Sequence, residues 1–181
     1  MHSLGWDVLA TDTAHIVSSV LSPNIASNHT TSSCDRGIIQ IRELDWLVPP
    51  KSWDWTNPIA VASTNPSSTV PRVDDSTVLK PPFDFVISSD TIYAAELVQP
   101  LLRALHAAVA ASGSPHVYLC IERRDPALVD HALSEAKDVW GFTVTRVGHR
   151  RVSKAMEKGH LKWKKEDWDG VEIWRLKLKN V

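Results

Sequence analysis

Three acids, Asp12, Asp45 and Asp90, each close a short apolar run, and two are followed by a ring: Trp46 directly after Asp45, and Tyr93 three residues after Asp90. A carboxylate at such a position can accept hydrogen bonds from the two adjacent hydroxyls of a ribose, the role an α/β nucleotide-binding protein gives the acid after an early strand, which suits Asp12. Asp12 equally suits a helix N-cap, since Thr11-Asp12-Thr13 precedes a helical pattern. Asp45 and Trp46 could together hydrogen-bond and stack on an adenine, although a tryptophan at a strand end is also a common core residue. A carboxylate beside a phenol can hold an amine nitrogen in line for attack, which gives Asp90-Thr91-Ile92-Tyr93 a chemical reading. The competing one is a turn acid next to a half-buried tyrosine.

The elements that must position these residues follow from periodicity. Phe83-Asp84-Phe85-Val86-Ile87-Ser88-Ser89-Asp90, entered from Pro81-Pro82, reads as a buried strand whose carboxyl end opens on a crevice, where ligands collect in open α/β sheets. Gly5 to Asp12 and Ile38 to Leu44 read as earlier strands. Residues 13 to 22 carry Ile16, Val17, Val20 and Leu21 at helical spacing, up to a helix end or kink at Pro23. Leu97 to Val109 predicts a helix ending before Gly113, Pro115 to Glu122 a strand, and Asp125-Pro126 a capped helix that stops at Trp140-Gly141. Phe142 to Val147 and Val171 to Leu178 alternate as strands, and between them residues 149 to 165 are basic, without a strong helical period. Residues 47 to 82 hold seven of the eleven prolines and read as a long mobile loop. The order predicts one α/β domain over 1–181, mostly parallel, with helices on both sheet faces and an antiparallel C-terminal strand pair.

Composition narrows the function classes. A net charge of −1 gives no global attraction to nucleic acid or anionic membrane, so nucleic acid is disfavoured as a partner. The basic run could meet an acidic or nucleic-acid partner, or be a solvated face; Glu122-Arg123-Arg124 reads as a solvated strand end. Cys34 and Cys120 form no CxxC, and the histidines show no HxxxH or HExxH, so neither a disulfide framework nor a metal site is expected. No signal core or apolar span of membrane length is present in the sequence, which predicts an intracellular protein, cytoplasmic or nuclear, with no membrane partner. A monomer is expected. The seven glycines are spread singly from residue 5 to residue 170, so no P-loop or GxGxxG reading survives.

Taken together, Val8-Leu9-Ala10-Thr11-Asp12, Leu21 with Asn24 and Asn28, Leu44-Asp45-Trp46, and Phe83 through Tyr93 resemble the seven-β-strand methyltransferases of family 16, methyltransferase-like enzymes many of which methylate protein lysines. The resemblance runs from about residue 5 to the C-terminus, and the DxxY sequence Asp90-Thr91-Ile92-Tyr93 is its most specific part. It implies a Rossmann-like class I methyltransferase sheet of order 3-2-1-4-5-7-6, S-adenosylmethionine as cofactor, and a lysine side chain of a protein as substrate. By resemblance, Asp12 binds the cofactor ribose, Asp45 and Trp46 lie by the adenine, Ser89 lies on the cofactor side, and Asp90 and Tyr93 border methyl transfer. The family's central first strand and glycine-rich loop have no counterpart here and would lie upstream of residue 1. The expectation is therefore an N-terminally incomplete domain: an enzyme whose gene has been read short, or a non-catalytic form that binds a protein through the basic run.

Overall fold

The computed structural model describes residues 5–28, 37–64, 78–160, 164, 168 and 170–179. It is mixed α/β, and its chain divides into two compact units, Met1–Pro81 and Pro82–Val181.

In the first unit, β1 (Val8–Asp12), β2 (Ile39–Leu44) and β3 (Ala60–Ala62) form a parallel sheet of order β1-β2-β3. The β1–β2 register sets Val8 against Ile39 and Asp12 against Glu43. Helix follows β1 without a break, as α1 (Ala14–Ile16), a π turn (Val17–Leu21) and α2 (Ser22–Asn28). Pro23 thus neither ends nor interrupts the helix. The π turn shifts pairing by one residue, so that the Ser22 N–H reaches the Val17 carbonyl, just before the imino residue that has no N–H to give. The hydroxyls of Ser18 and Ser19 both donate to the His15 carbonyl in the same stretch.

Part of the proline-rich segment read as a loop is ordered structure. Pro50–Ser52 makes a 3-10 turn and β3 joins the sheet beside β2, with Val61 and Ala62 buried. Three residues are too few to show a period, which is why the strand is invisible in sequence. Residues 65–77 of that segment lie outside the described residues. Arg42 of β2, fully buried, holds the arrangement together by donating to the carbonyls of Trp55, Asn57 and Leu79.

The second unit contains β4 (Phe85–Ser89), α3 (Ala95–Ala111), β5 (His116–Glu122), α4 (Pro126–Asp138), β6 (Phe142–Val147), α5 (His149–Lys158) and β7 (Val171–Leu178). Its sheet has order β4-β5-β7-β6, with β4 and β5 parallel and β7 antiparallel to both neighbours. One sheet face, carrying Val117, Leu119, Ile121, Phe142 and Leu176, is buried, and α3 contributes Val98, Leu101, Leu102, Leu105 and Val109 to the core. Pro100 is the sixth residue of α3, near its start. Asp125 caps α4 by accepting from the Leu128 N–H at 3.0 Å, with Pro126 at the first helical position.

Two expectations change here. β4, read as a buried strand, stands at the end of the sheet order and is half-exposed, with Ile87 at 53%. Residues 149–158 of the basic run are helical: Val152, Ala155 and Met156 supply the i, i+3, i+4 positions, outnumbered by charge. Among the described residues no helix is long and apolar enough to cross a membrane.

Candidate functional site

The chemistry-bearing residues gather at strand carboxyl ends, unit by unit. In the first unit β1 and β2 run parallel and finish side by side, so Asp12 and the Asp45-Trp46 pair leave the same sheet edge. Asp12 is exposed. Its Oδ1 accepts from the Thr13 N–H at 2.7 Å, while Thr13 occupies the N-cap position and makes no side-chain cap bond. Asp12 is therefore not the helix cap that the sequence also allowed, and its Oδ2 has no hydrogen-bond partner among the described residues.

Asp45 is already engaged. Its Oδ1 accepts from the Leu47 N–H at 2.9 Å, a local turn, and its Oδ2 from the Thr64 hydroxyl at 3.3 Å. A carboxylate offers about four lone-pair sites, so acceptor capacity remains. Trp46 is half-buried.

In the second unit the backbone does more of the positioning. The Asp90 N–H donates to the Cys120 carbonyl at 2.9 Å, extending the β4–β5 ladder by one residue past Ser89. Asp90 then turns at φ 53°, a left-handed conformation that non-glycine residues adopt at a cost of about 1 kcal/mol or more. The hydroxyls of Ser88 and Thr91 lie 2.7 Å apart across the turn, and Ile92 is buried. Between that anchor and α3, Tyr93 is 63% exposed, which removes the half-buried alternative; Ser89 is exposed as well.

A partner for Asp90 comes from the strand end read as merely solvated. Arg124 Nη2 lies 3.4 Å from Asp90 Oδ2, while its Nε donates to Glu122 Oε2 at 2.8 Å. Hydrogen bonding to Glu122, and then the charge of Asp90, holds the Arg124 guanidinium above its ordinary range. The signal was available in sequence only through register: β4 and β5 are successive parallel strands, so residues just past their ends must meet. Behind this edge, Arg123 binds Asp130 of α4 and lies 3.3 Å from Glu172 of β7, which Arg146 of β6 also reaches at 2.9 Å. Trp174 Nε1 donates to the same carboxylate at 2.8 Å. The network locks three strands and α4 at the edge that displays Asp90.

The two sets of groups differ in what they can do. Those of the first unit suit a nucleoside: an acid with an unpartnered oxygen for ribose hydroxyls, and an indole for a base. Those of the second suit an amine: an exposed carboxylate and an exposed phenol in one strand-end turn. Among the described residues no cluster of His, Cys, Asp and Glu could hold a metal ion. No family model matches the chain, and no curated protein matches it.

Proposed function

We propose that the chain is an S-adenosylmethionine-dependent methyltransferase acting on a protein lysine. The observation that carries the reading is the turn after β4, where a left-handed Asp90 and an exposed Tyr93 stand at the carboxyl end of a parallel strand. Topology supports it. The order β4-β5-β7-β6, with β7 antiparallel, reproduces the 4-5-7-6 end of the family's sheet, and the parallel β1–β2 pair reproduces its 2-3 pair. The additional strand β3 departs from that pattern.

The fit to the cofactor is confined to its nucleoside. Asp12 would accept from the ribose hydroxyls, and Asp45 and Trp46 would meet the adenine. No clustered glycines in the chain would let backbone approach the methionine part, and no step is assigned there. Bound S-adenosylmethionine supplies an electrophilic methyl group. The chain's own residues have the other task, selecting and orienting the amine. A free lysine has a pKa of about 10.4, so at neutral pH nearly all of it is protonated and cannot attack. Asp90 accepts a hydrogen bond from the incoming nitrogen, the Tyr93 oxygen accepts a second, and the pair aligns the lone pair once the proton has left to water.

Asp90→Asn and Tyr93→Phe test the roles. Both should reduce tritium transfer from labelled S-adenosylmethionine to extract proteins by about a hundredfold or more while leaving cofactor affinity nearly unchanged. Loss of cofactor affinity in step with transfer would remove the assignment. A second reading, a protein-binding module without catalysis, is favoured by the scattered glycines alone.

A further inference from the structure

Helix α5 is built against its own electrostatics. Its first turn contains Arg150 and Arg151 and no acid, where the helix dipole favours negative charge, and its N-cap, Gly148, supplies no side-chain bond. Along the helix Arg150 faces Lys154 and Lys154 faces Lys158 at i, i+4, and Arg151 faces Lys154 at i, i+3, all like-charge neighbours. Among the described residues none of these four cations has an ion-pair partner, although Glu157 lies on the same helix.

Their placement is not diffuse. At 3.6 residues per turn the four fall within an arc of roughly 100°, opposite the side that carries Val152 and Met156. Those two residues are half-buried and all four cations are exposed. The helix therefore rests on an apolar edge and presents one cationic stripe, about 12 Å long from Arg150 to Lys158 at 1.5 Å per residue. Two cations in the first turn, three like-charge neighbour pairs and no ion-pair partner for any of the four among the described residues point to a partner that supplies the missing charge.

We propose that the α5 stripe is a docking surface for a short acidic segment of a partner protein. Global charge selects this occupant over a nucleic acid. Between residues 146 and 165 the chain carries eight Lys or Arg against Glu157, yet its net charge is −1, so the remainder is strongly acidic. A polyanion running beyond the stripe meets a net negative chain, whereas a few carboxylates within about 12 Å are matched to the stripe. In the bound state the same four cations cease to oppose the helix, because each like-charge contact gains an anion. The proposal rests on α5 alone and holds whether or not the chain transfers methyl groups.

Fluorescence anisotropy of the full chain with labelled tetra-glutamate, about 13 Å long when extended, at low salt, is the test. Binding is expected, weakened by about tenfold or more as salt rises toward 0.5 M, where screening shortens to a few ångströms. The quadruple variant Arg150→Glu, Arg151→Glu, Lys154→Glu, Lys158→Glu should lose at least about tenfold in affinity, and the control Lys137→Glu on α4 should lose little. The corresponding glutamine quadruple variant relieves the repulsion and keeps the helix, verified by circular dichroism, and should also lose binding. No tetra-glutamate binding by the parent chain, undiminished binding by the folded glutamine variant, or tighter binding of deca-thymidylate would each overturn the proposal, the last in favour of a nucleic acid.

Discussion

Arg42→Met isolates what one buried guanidinium does. The arginine is fully buried in β2, and burial pushes its pKa below the usual value despite the opposing charge of Asp54. Its donors reach the carbonyls of Trp55 at 2.8 Å, Asn57 at 3.2 Å, and Leu79. Methionine keeps most of the apolar stem and leaves three carbonyls without a donor, each worth about 1 to 3 kcal/mol when desolvated. Two corrections reduce the sum: the three residues are half-buried, so water recovers part of the loss, and removing the cation also removes its desolvation cost. The expected loss is about 2 to 4 kcal/mol. Amide hydrogen exchange on β2 and β3 reads it directly, with protection falling about thirtyfold or more, since 1.4 kcal/mol is tenfold. Arg42→Lys, able to serve one or two carbonyls at most, should fall between. Unchanged protection in the methionine variant, or lysine and methionine variants equally damaged, would refute the view that a fan of donors rather than a filled volume secures the 53–62 segment.

Two further outcomes follow from local geometry. Hydrogen bonds from the Thr56 side chain and then its backbone hold the Asp54 carboxyl below the ordinary aspartate value of 3.8. Because the folded value is the lower one, this contribution to stability is complete above about pH 4 and is lost as pH falls through the folded value. An NMR titration should show Asp54 below 3.8, and Thr56→Val should bring its midpoint upward. A Cβ added at Gly37 would lie 2.1 Å from the Trp6 carbonyl oxygen and 2.3 Å from its carbon, both backbone atoms. Gly37→Ala should therefore cost about 1 to 3 kcal/mol by forcing the chain apart at the start of the β1–β2 ladder, seen as a lower urea midpoint; an unchanged midpoint would contradict that close approach.

Elements with their own punctuation were legible in sequence. Asp125-Pro126 and Trp140-Gly141 bracket α4, and alternation marks β6 and β7, because capping and burial act within a few residues. What escaped was set by tertiary context. β3 is only three residues long, Pro23 is absorbed by a π turn, and α5 hides its apolar edge among charges. The exposure of β4 depends on where its strand falls in the sheet order, which no local pattern encodes. At the candidate site, residue types pointed to Asp12, Asp45, Trp46, Asp90 and Tyr93, and the structure sets the first three on one edge of one unit and the last two in one turn of the other. The Arg124 partner of Asp90 required the β4–β5 register.

Calorimetric titration of the 181-residue chain with S-adenosylhomocysteine, after a thermal scan establishes a cooperative transition, measures cofactor recognition. The methyltransferase reading predicts saturable binding near micromolar affinity, weakened about tenfold or more by Asp12→Asn and little changed by Asp90→Asn. A folded chain that gives no binding heat, or one in which Asp12→Asn binds as well as the parent, would contradict it.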